Sequence, residues 1–331
     1  MACSLRSLEY TGLAMNRREL TRRQVLASGT ACWATLAAYG RGSFGTARPD
    51  ASAAGTVRIG GDLTVNRLGF GAMRIAGGEH VWGEPTDGAE ARRVLRRAVE
   101  LGVNFIDTAD AYGPEINERL ICEALHPYPR GLVIATKGGI VRPSAPEWVA
   151  DGHPAHLREA CEGSLKRLKL ERIDLYQLHT PDKNVPLEDS IGALADLQKQ
   201  GKIRHIGVSN VQLDELTRAR RVARIVSVQN RYNFVQRKSQ DVLDACERDG
   251  LVFIPWAPIG GSAQTVARGK GDLDALASTR RVSIVQIAIA WLLARSPLML
   301  PIPGTSSVSH LEADISASSV KLTAAEMAAV G

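Results

Sequence analysis

Four side chains in this sequence could do chemistry together, each set just past or at the end of a short apolar run. Asp107 and Tyr112 lie in Asn104 to Gly113 (NFIDTADAYG), Lys137 ends Leu132–Lys137, and His179 ends Leu175–His179. A tyrosine, a lysine, an aspartate and a histidine meeting in one cleft suit the reduction of a carbonyl. Hydride addition leaves charge on oxygen, and that charge must be met by a proton. A free phenol, with a pKa of about 10, is a poor donor near neutrality unless a cation makes its proton easier to lose. Lys137 can be that cation, Asp107 can keep the ammonium charged and in place, and His179 can hydrogen-bond the carbonyl oxygen and orient it. Singly, each has a plainer use: Asp107 as a helix cap or turn former, Tyr112 as packing, Lys137 as a snorkelling surface lysine, His179 as a satisfied core histidine.

Such a set needs a fold that brings the ends of several strands to one face. From Leu68 onward strand-like and helix-like segments alternate. The strands read as Leu68–Ala72, Phe105–Ala109, Leu132–Lys137, Leu175–His179, His205–Ser209, Val226–Gln229, Val252–Trp256 and Leu300–Pro303. Amphipathic stretches lie between them, among them Glu90–Glu100, Pro154–Leu168, Leu187–Lys199, Asp241–Glu247 and Ile284–Leu293, and several close on glycine. Eight βα units of about thirty residues predict an α/β protein of the (β/α)8 TIM-barrel type rather than a doubly wound sheet. A dinucleotide fingerprint is missing: Gly69-Phe70-Gly71 lacks the third glycine and runs into Met73-Arg74. Upstream, Val57–Ile59 and Leu63–Val65 flank Gly60-Gly61-Asp62 as a β-hairpin. In a barrel the working groups sit at the C-terminal strand ends, and here those ends carry Asp107, Lys137, His179, Ser209-Asn210, Gln229-Asn230, Trp256 and the run Gly304–Ser307.

Composition fits a globular chain: of its 331 residues 44% are apolar and 23% charged. The net charge of +6 does not point to nucleic acid, because residues 1–53 hold seven arginines against three acids, a net of +4, leaving +2 for the rest. The five cysteines, at 3, 32, 122, 161 and 246, form no CxxC pair. Neither a disulfide framework nor a zinc or other metal site is indicated, and Cys122, Cys161 and Cys246 read as small buried residues on helices.

Residues 1–53 differ in kind from the remainder. Arg17-Arg18 and Arg22-Arg23 precede an uncharged run from Val25 to Gly40. This resembles a twin-arginine export signal, with Gly45-Thr46-Ala47 or Ala51-Ser52-Ala53 as the small-residue cleavage site. A disordered basic arm, or a start codon assigned upstream of Met15, is the plainer reading. The apolar run falls short of the roughly 20 strongly apolar residues of a spanning helix, so no stable membrane anchor is expected. The expected organisation is an export signal and linker over 1–53 and a single domain over 54–331. The expected location is extracytoplasmic with the twin-arginine translocase as a partner, and cytoplasmic in the alternative.

The strand-end residues carry a resemblance to the aldo-keto reductase family. FIDTADAYG is similar to its Asp-x-x-x-x-Tyr segment, VIATKGG to its lysine strand, DLYQLHTP to its histidine strand, and HIGVSN and VSVQNRYN to the segments that grip the nicotinamide carboxamide. The resemblance covers about Thr56 to Asp314 and implies an NAD(P)H-dependent reductase of aldehydes and ketones, reversible as an alcohol dehydrogenase. It implies Tyr112 as general acid, Lys137 as its pKa-lowering neighbour, Asp107 as the partner of that lysine and His179 as the orienting group. Ser209, Asn210 and Gln229 would hold the carboxamide, and Trp256 stands where the family usually stacks a tyrosine on the nicotinamide ring. Gly71, Ala72 and Met73 would approach the cofactor through backbone, and the Gly260-Gly261-Ser262 loop and Gly304, Thr305, Ser306 and Ser307 would cradle its phosphates. The hairpin would close the bottom of the barrel.

Two departures from the family pattern bear on function. Thr305, Ser306, Ser307 and His310 occupy a stretch where an Arg or Lys commonly holds the 2′-phosphate of NADPH, so hydroxyl donors must do what a fixed cation would; NADPH is the expected cofactor, and this departure keeps NADH as an alternative. Asp314 stands near the adenine position, where Asn is common. The chain ends at Gly331 after one further helix, Ala324–Val330, which predicts an open and permissive site for a small carbonyl substrate, in a monomer. The competing expectations are a nicotinamide-binding regulatory or interaction subunit with little turnover, and an aldolase-type barrel with Lys137 as its Schiff-base lysine.

Overall fold

Inward-facing strand positions in this protein are apolar where the strands begin and polar where they end, and that gradient places the site. The computed structural model describes residues 48–260 and 271–330. The chain divides into two units after Thr46, and every described residue belongs to the second, Ala47–Gly331. Arg22, Arg23, Gly261 and Ser262 lie outside the described residues.

Seven strands form one parallel sheet: β3 (Phe70–Gly71), β4 (Phe105–Asp107), β5 (Val133–Gly138), β8 (Ile173–Leu178), β9 (Ile203–Ser209), β10 (Ile225–Gln229) and β11 (Val252–Phe253), in the spatial order β11-β10-β9-β8-β5-β4-β3. Two antiparallel hairpins stand apart from it, β1 (Thr56–Ile59) with β2 (Leu63–Asn66), and β6 (Ile140–Val141) with β7 (Val149–Ala150). The expected strand at Leu300–Pro303 is not a regular ladder. Its backbone is nevertheless bonded on both sides: Leu300 N donates to Phe253 O at 2.9 Å and Phe253 N to Leu298 O at 3.0 Å, while Gly69 N donates to Pro301 O and Gly71 N to Pro303 O, both at 3.0 Å. Pro301 and Pro303 have no N–H to give, so the segment accepts from β3 without returning a bond, and a regular pairing cannot form. The curled sheet with this eighth extended segment between its two edge strands is consistent with a (β/α)8 barrel.

Helices follow the strands: α1 (Gly88–Glu100), α2 (Ile116–Leu125), α3 (Pro154–Leu168), α4 (Leu187–Lys199), α5 (Leu213–Val222), α6 (Gln240–Asp249), α7 (Gly271–Arg280), α8 (Ile284–Arg295), α9 (Val308–Ser316) and α10 (Ala324–Val330). Local signals account for several ends. The Asp87 side chain accepts from Glu90 N to start α1, Pro154 opens α3, and Ser283 with Gln286 forms a capping box on α8. Gly250, at φ 69°, ends α6 in the left-handed conformation that glycine adopts freely. Cys122, Cys161 and Cys246 are free and buried on α2, α3 and α6, as expected. No single described helix is long and apolar enough to cross a membrane, and the one pair that passes such a test together, Leu273–Arg280 with Ile284–Arg295, is bent by 102°.

Hydrophobic residues sort into two faces. Ile106 and Ile134 pack among α1 and α2, and Tyr176, Leu178, Ile206 and Val208 among α3, α4 and α5. Phe105, Val133, Ala135, Leu175, Val252, Ile254, Leu300 and Ile302 form a third cluster with Val57, Ile59, Leu63 and Val65 of the hairpin. With a side-chain period of two, the residues that continue that third cluster along the strands are Asp107 after Phe105, Lys137 after Ala135 and Gln177 after Leu175.

The packed chain starts earlier than Ala54. Asp50 caps a short 3-10 turn, Ala51–Ala54, in which Ala51 and Ala54 are buried. Ala51 N donates to Leu101 O, Ser318 Oγ to Asp50 O and Lys321 Nζ to Ala53 O, so this turn is bonded to α1 and to the segment after α9.

Candidate active site

Lys137 is fully buried on β5, and its ammonium spends its three N–H groups on three acceptors. It donates to Asp107 Oδ2 at 2.6 Å, to the carbonyl of Thr108 at 2.8 Å and to the Tyr112 hydroxyl at 3.3 Å. Register explains the meeting: Asp107 pairs with Ala135 on the neighbouring strand, two residues before Lys137. Burial works against the lysine's charge, but the Asp107 carboxylate and the bonds to Asp107 and Tyr112 outweigh it and raise the ammonium pKa above its ordinary value. A charged amine with every proton engaged is a poor nucleophile, which argues against the Schiff-base reading.

Asp107 has a second oxygen, and the sequence reading gave it no partner. Oδ1 accepts from Gln177 Nε2 at 3.1 Å and from Gln229 Nε2 at 2.7 Å. Gln177, on β8, pairs with Lys137 on one side and with Gly207 on the other. A Cβ at Gly207 would stand 2.9 Å from Gln177 Cγ, so the glycine makes room for the amide. Gln177 could have been found from period two alone, because it lies two residues before His179 on one strand.

Tyr112 is 7% exposed and His179 likewise, with ring centroids 5.8 Å apart in an edge-on arrangement. Here the structure departs from expectation. Burial is the largest influence on the phenol, and although Lys137 opposes it, the Tyr112 pKa stands above its ordinary value. The phenol therefore keeps its proton through neutral pH. Burial, then the charges of Lys137 and Arg142, push the His179 imidazole well below the usual histidine range, so it is neutral, and among the described residues its Nδ1 has no hydrogen-bond partner.

Asp107, Tyr112 and His179, with Lys137 outside the lining, share a cavity of about 470 Å³ with Gly71, Met73, Ser209, Asn210, Gln229, Trp256, Gly260 and Gly304. Asn210, at φ 58°, anchors its far side: its amide donates to the His179 carbonyl at 3.0 Å, and its Oδ1 accepts from Trp256 Nε1 at 2.9 Å. The indole is thus fixed by its edge. Of the other residues expected to hold a cofactor, Ala72 is fully buried and outside the cavity lining, and Thr305, Ser307, His310 and Asp314 do not line it either. Ser306 lines an adjoining cavity of about 870 Å³ that shares Met73, Arg74 and Trp148 with the first. At the start of α9 the Val308 N–H is taken by the Glu90 carboxylate at 3.1 Å, a contact the sequence did not suggest. Asp314 is buried, and burial pushes its carboxyl up to about 7. Among the described residues no group of His, Cys, Asp and Glu could hold a metal ion.

Over most of its length the chain is similar to known proteins. The model of the aldo/keto reductase family matches residues 67–331. The chain is 48% identical over 274 residues to an uncharacterized oxidoreductase of Schizosaccharomyces pombe, covering 83% of this chain and 88% of that one. It is 42% identical over 269 residues to the pyridoxine 4-dehydrogenase of Escherichia coli, covering 80% and 93%. The solved aldo/keto reductase of Klebsiella pneumoniae in complex with NADP and acetate superposes with a TM-score of 0.71 at 25% identity, covering 83% of this chain and 93% of that one. A family match over most of its length, joined to relatives named as oxidoreductases, shows that the chain is an enzyme of the aldo/keto reductase family.

Proposed function

We propose that the protein is an NAD(P)H-dependent oxidoreductase that interconverts small aldehydes or ketones with their alcohols, with Tyr112 as the proton donor. The observation that carries this reading is the buried Lys137 ammonium shared among Asp107, Thr108 and the Tyr112 hydroxyl. The residues present suit a nicotinamide: a flat indole fixed by its edge, with Ser209, Asn210 and Gln229 beside it in one cavity. The neighbour solved with NADP supports the same cofactor. A reduced nicotinamide held there supplies hydride.

The chain's own residues do the rest. Neutral His179 fixes the carbonyl oxygen near the phenol, and Tyr112 gives its proton to that oxygen as negative charge develops. Lys137 meets the charge left on the phenolate, and it needs no reorganisation because Asp107 already holds it. Gln177 and Gln229 hold Asp107 in turn. The β1–β2 hairpin, clustered with the inward apolar residues, is read as the floor of the barrel. Tyr112→Phe should cut aldehyde turnover by roughly a hundredfold or more while NADPH still binds by fluorescence titration. Turnover that survives unchanged would remove Tyr112 from this role.

We read the chain before Arg48 as an export leader of the twin-arginine type, on the strength of Arg22-Arg23 and the uncharged run that follows. Cleavage after Ala47 suits the structure better than cleavage within Ala51–Ala53, because the latter would remove the capped turn bonded to α1 and to Ser318 and Lys321. Sequencing the N-terminus of the mature protein from fractionated cells tests this. A start at Arg48 outside the cytoplasm agrees with it, and an intact Arg22-Arg23 in the cytoplasm rejects it.

A further inference from the structure

One wall of the cavity is not accounted for by the proton donor or the cofactor groups. The β6–β7 hairpin presents Trp148, 38% exposed, whose ring centroid lies 6.2 Å from that of Tyr112 and 6.4 Å from that of His179, edge-on to both. It lines both adjoining cavities and stands on the Tyr112 and His179 side, with Met73 and Ile140 as apolar neighbours in the lining.

What holds Trp148 is Arg142, on the same hairpin. Its guanidinium carbon sits 3.7 Å from the Trp148 ring centroid and 5.3 Å from that of Trp82. All five N–H groups of this arginine go to backbone carbonyls: Nε to Glu147 at 2.7 Å, Nη1 to Ala111 at 3.0 Å and Val81 at 3.4 Å, Nη2 to His80 at 2.9 Å and Ala145 at 2.5 Å. No carboxylate among the described residues forms an ion pair with it. The carbonyls belong to three separate loops, and the one at Ala111 is the peptide joining it to Tyr112. His80 and Val81 have φ of 60° and 59°, a region that a β-branched residue rarely enters, so the loop at 80–81 is held in an unfavourable conformation where Arg142 donates to both its carbonyls. That loop is also tied to the residue after Tyr112, by Gly113 N to Val81 O at 3.2 Å and Gly83 N to Gly113 O at 2.7 Å. The fork geometry of a guanidinium can serve five carbonyls at once, and a lysine cannot.

From this geometry we propose that Trp148 is the specificity-determining surface for flat, π-bearing carbonyl substrates, and that Arg142 is the positioning residue that sets its plane relative to Tyr112 and His179. The inference rests on the reductase reading above. An aromatic aldehyde whose carbonyl oxygen lies between Tyr112 and His179 has its ring beside the indole, and offset or edge-on aromatic contact favours it over a puckered ring of equal size.

The test compares benzaldehyde with cyclohexanecarboxaldehyde, two aldehydes of matched carbon count, as the ratio of their kcat/KM values with NADPH. Intrinsic reactivity cancels when the ratio is compared between variants. Trp148→Leu should lower the aromatic-to-aliphatic ratio about tenfold, chiefly through KM for benzaldehyde, and Trp148→Tyr should keep it within about threefold of the parent. Arg142→Met should lower the ratio similarly, and the double variant should add little, as expected of two residues that act as a unit. NADPH titration by fluorescence checks that each variant is folded. If Arg142→Met does not fold, Arg142→Lys, which keeps the charge but not the fork, carries the same comparison. An unchanged ratio in Trp148→Leu overturns the proposal. A changed ratio there with an unchanged one in the Arg142 variant overturns the positioning role. A parent protein that binds NADPH but reduces neither aldehyde counts against the reductase reading instead, before any variant is compared.

Discussion

At the scale of single residues the site depends on one buried charge pair with no slack. Lys137 has no unused proton, and Asp107 accepts from Lys137, Gln177 and Gln229 together. Removing the cation alone leaves a buried carboxylate uncompensated, so Lys137→Met should cost about 3–5 kcal/mol of stability as well as activity. Urea unfolding of that variant against the parent measures it. The pH dependence follows from Tyr112, whose pKa lies above its ordinary value because it is buried. With Tyr112 as the proposed proton donor, reduction uses the protonated phenol and should stay level through neutral pH, falling only as pH rises towards the raised value. On the same proposal alcohol oxidation uses the phenolate and should rise over that same alkaline range. Initial rates in both directions across pH check the pair, and a fall in reduction already below neutrality would assign the titration to another group.

At the scale of elements, two joints decide whether the strand ends converge. The extended segment before α9 passes so close to β3 that a Cβ on Gly304 would lie 2.2 Å from the Gly71 carbonyl oxygen, a backbone atom that cannot move aside cheaply. Gly304→Ala should therefore lower stability by about 1–3 kcal/mol, read as a drop in Tm, and loosen a cavity that both glycines line. The other joint is α9 itself. Its Asp314 is buried and its carboxyl is raised from 3.8 to about 7, so between those values the folded state holds a proton that the unfolded state has released. Stability is thereby lost as pH rises from about 4 to 7, and the loss is complete above 7. Asp314→Asn should be nearly neutral at pH 4 and stabilising by on the order of a few kcal/mol at pH 8, a difference that thermal unfolding at the two pH values would show. Equal effects at both would mean that burial does not raise the Asp314 carboxyl.

At the scale of the whole molecule, contacts between parts distant in sequence tie the β1–β2 turn to the sheet and residues 50–54 to α1 and the segment after α9. In the β1–β2 turn, Asp62 bonds His205 Nε2 at 2.6 Å and Arg204 at 2.7 Å, across more than 140 residues. Burial is the largest single influence and raises the Asp62 carboxyl, but the hydrogen bonds and charges of Arg204 and His205 together prevail and bring it from 3.8 to about 2. Its contribution is present above about pH 4 and is lost as pH falls through 2. Because Asp62 is half exposed, Asp62→Asn should cost no more than about 1 kcal/mol at pH 7, and the gap from the parent should narrow below about pH 4 and close as pH falls through 2. At the N-terminal edge, a chain beginning at Gly55 loses the buried Ala51 and Ala54 and the carbonyls that receive Ser318 and Lys321. It should unfold at a lower temperature than one beginning at Arg48.

Strand type, strand order and the candidate side chains Asp107, Tyr112, Lys137 and His179 could be read in the sequence because each rests on local pattern. Apolar runs broken by a polar residue mark Asp107, Lys137 and His179, and the helices at Pro154–Leu168 and Leu187–Lys199 carry their own boundary residues. Less was legible where a local signal was weak: the spacing over Ile116–Leu125 and Leu213–Val222 and the short β6–β7 hairpin did not stand out, and the run at Leu300–Pro303 looked like a strand although its prolines cannot donate. The partners of the site were beyond reach for a different reason. Which amides meet Asp107, whether burial or Lys137 governs the phenol, which carbonyls Arg142 gathers and that Glu90 takes the first N–H of α9 all depend on groups tens to hundreds of residues apart. Residue type and spacing along a strand establish what a side chain can do. Its pKa and its contacts depend on how much water and how many charges the closed sheet leaves around it, and only the tertiary structure decides that.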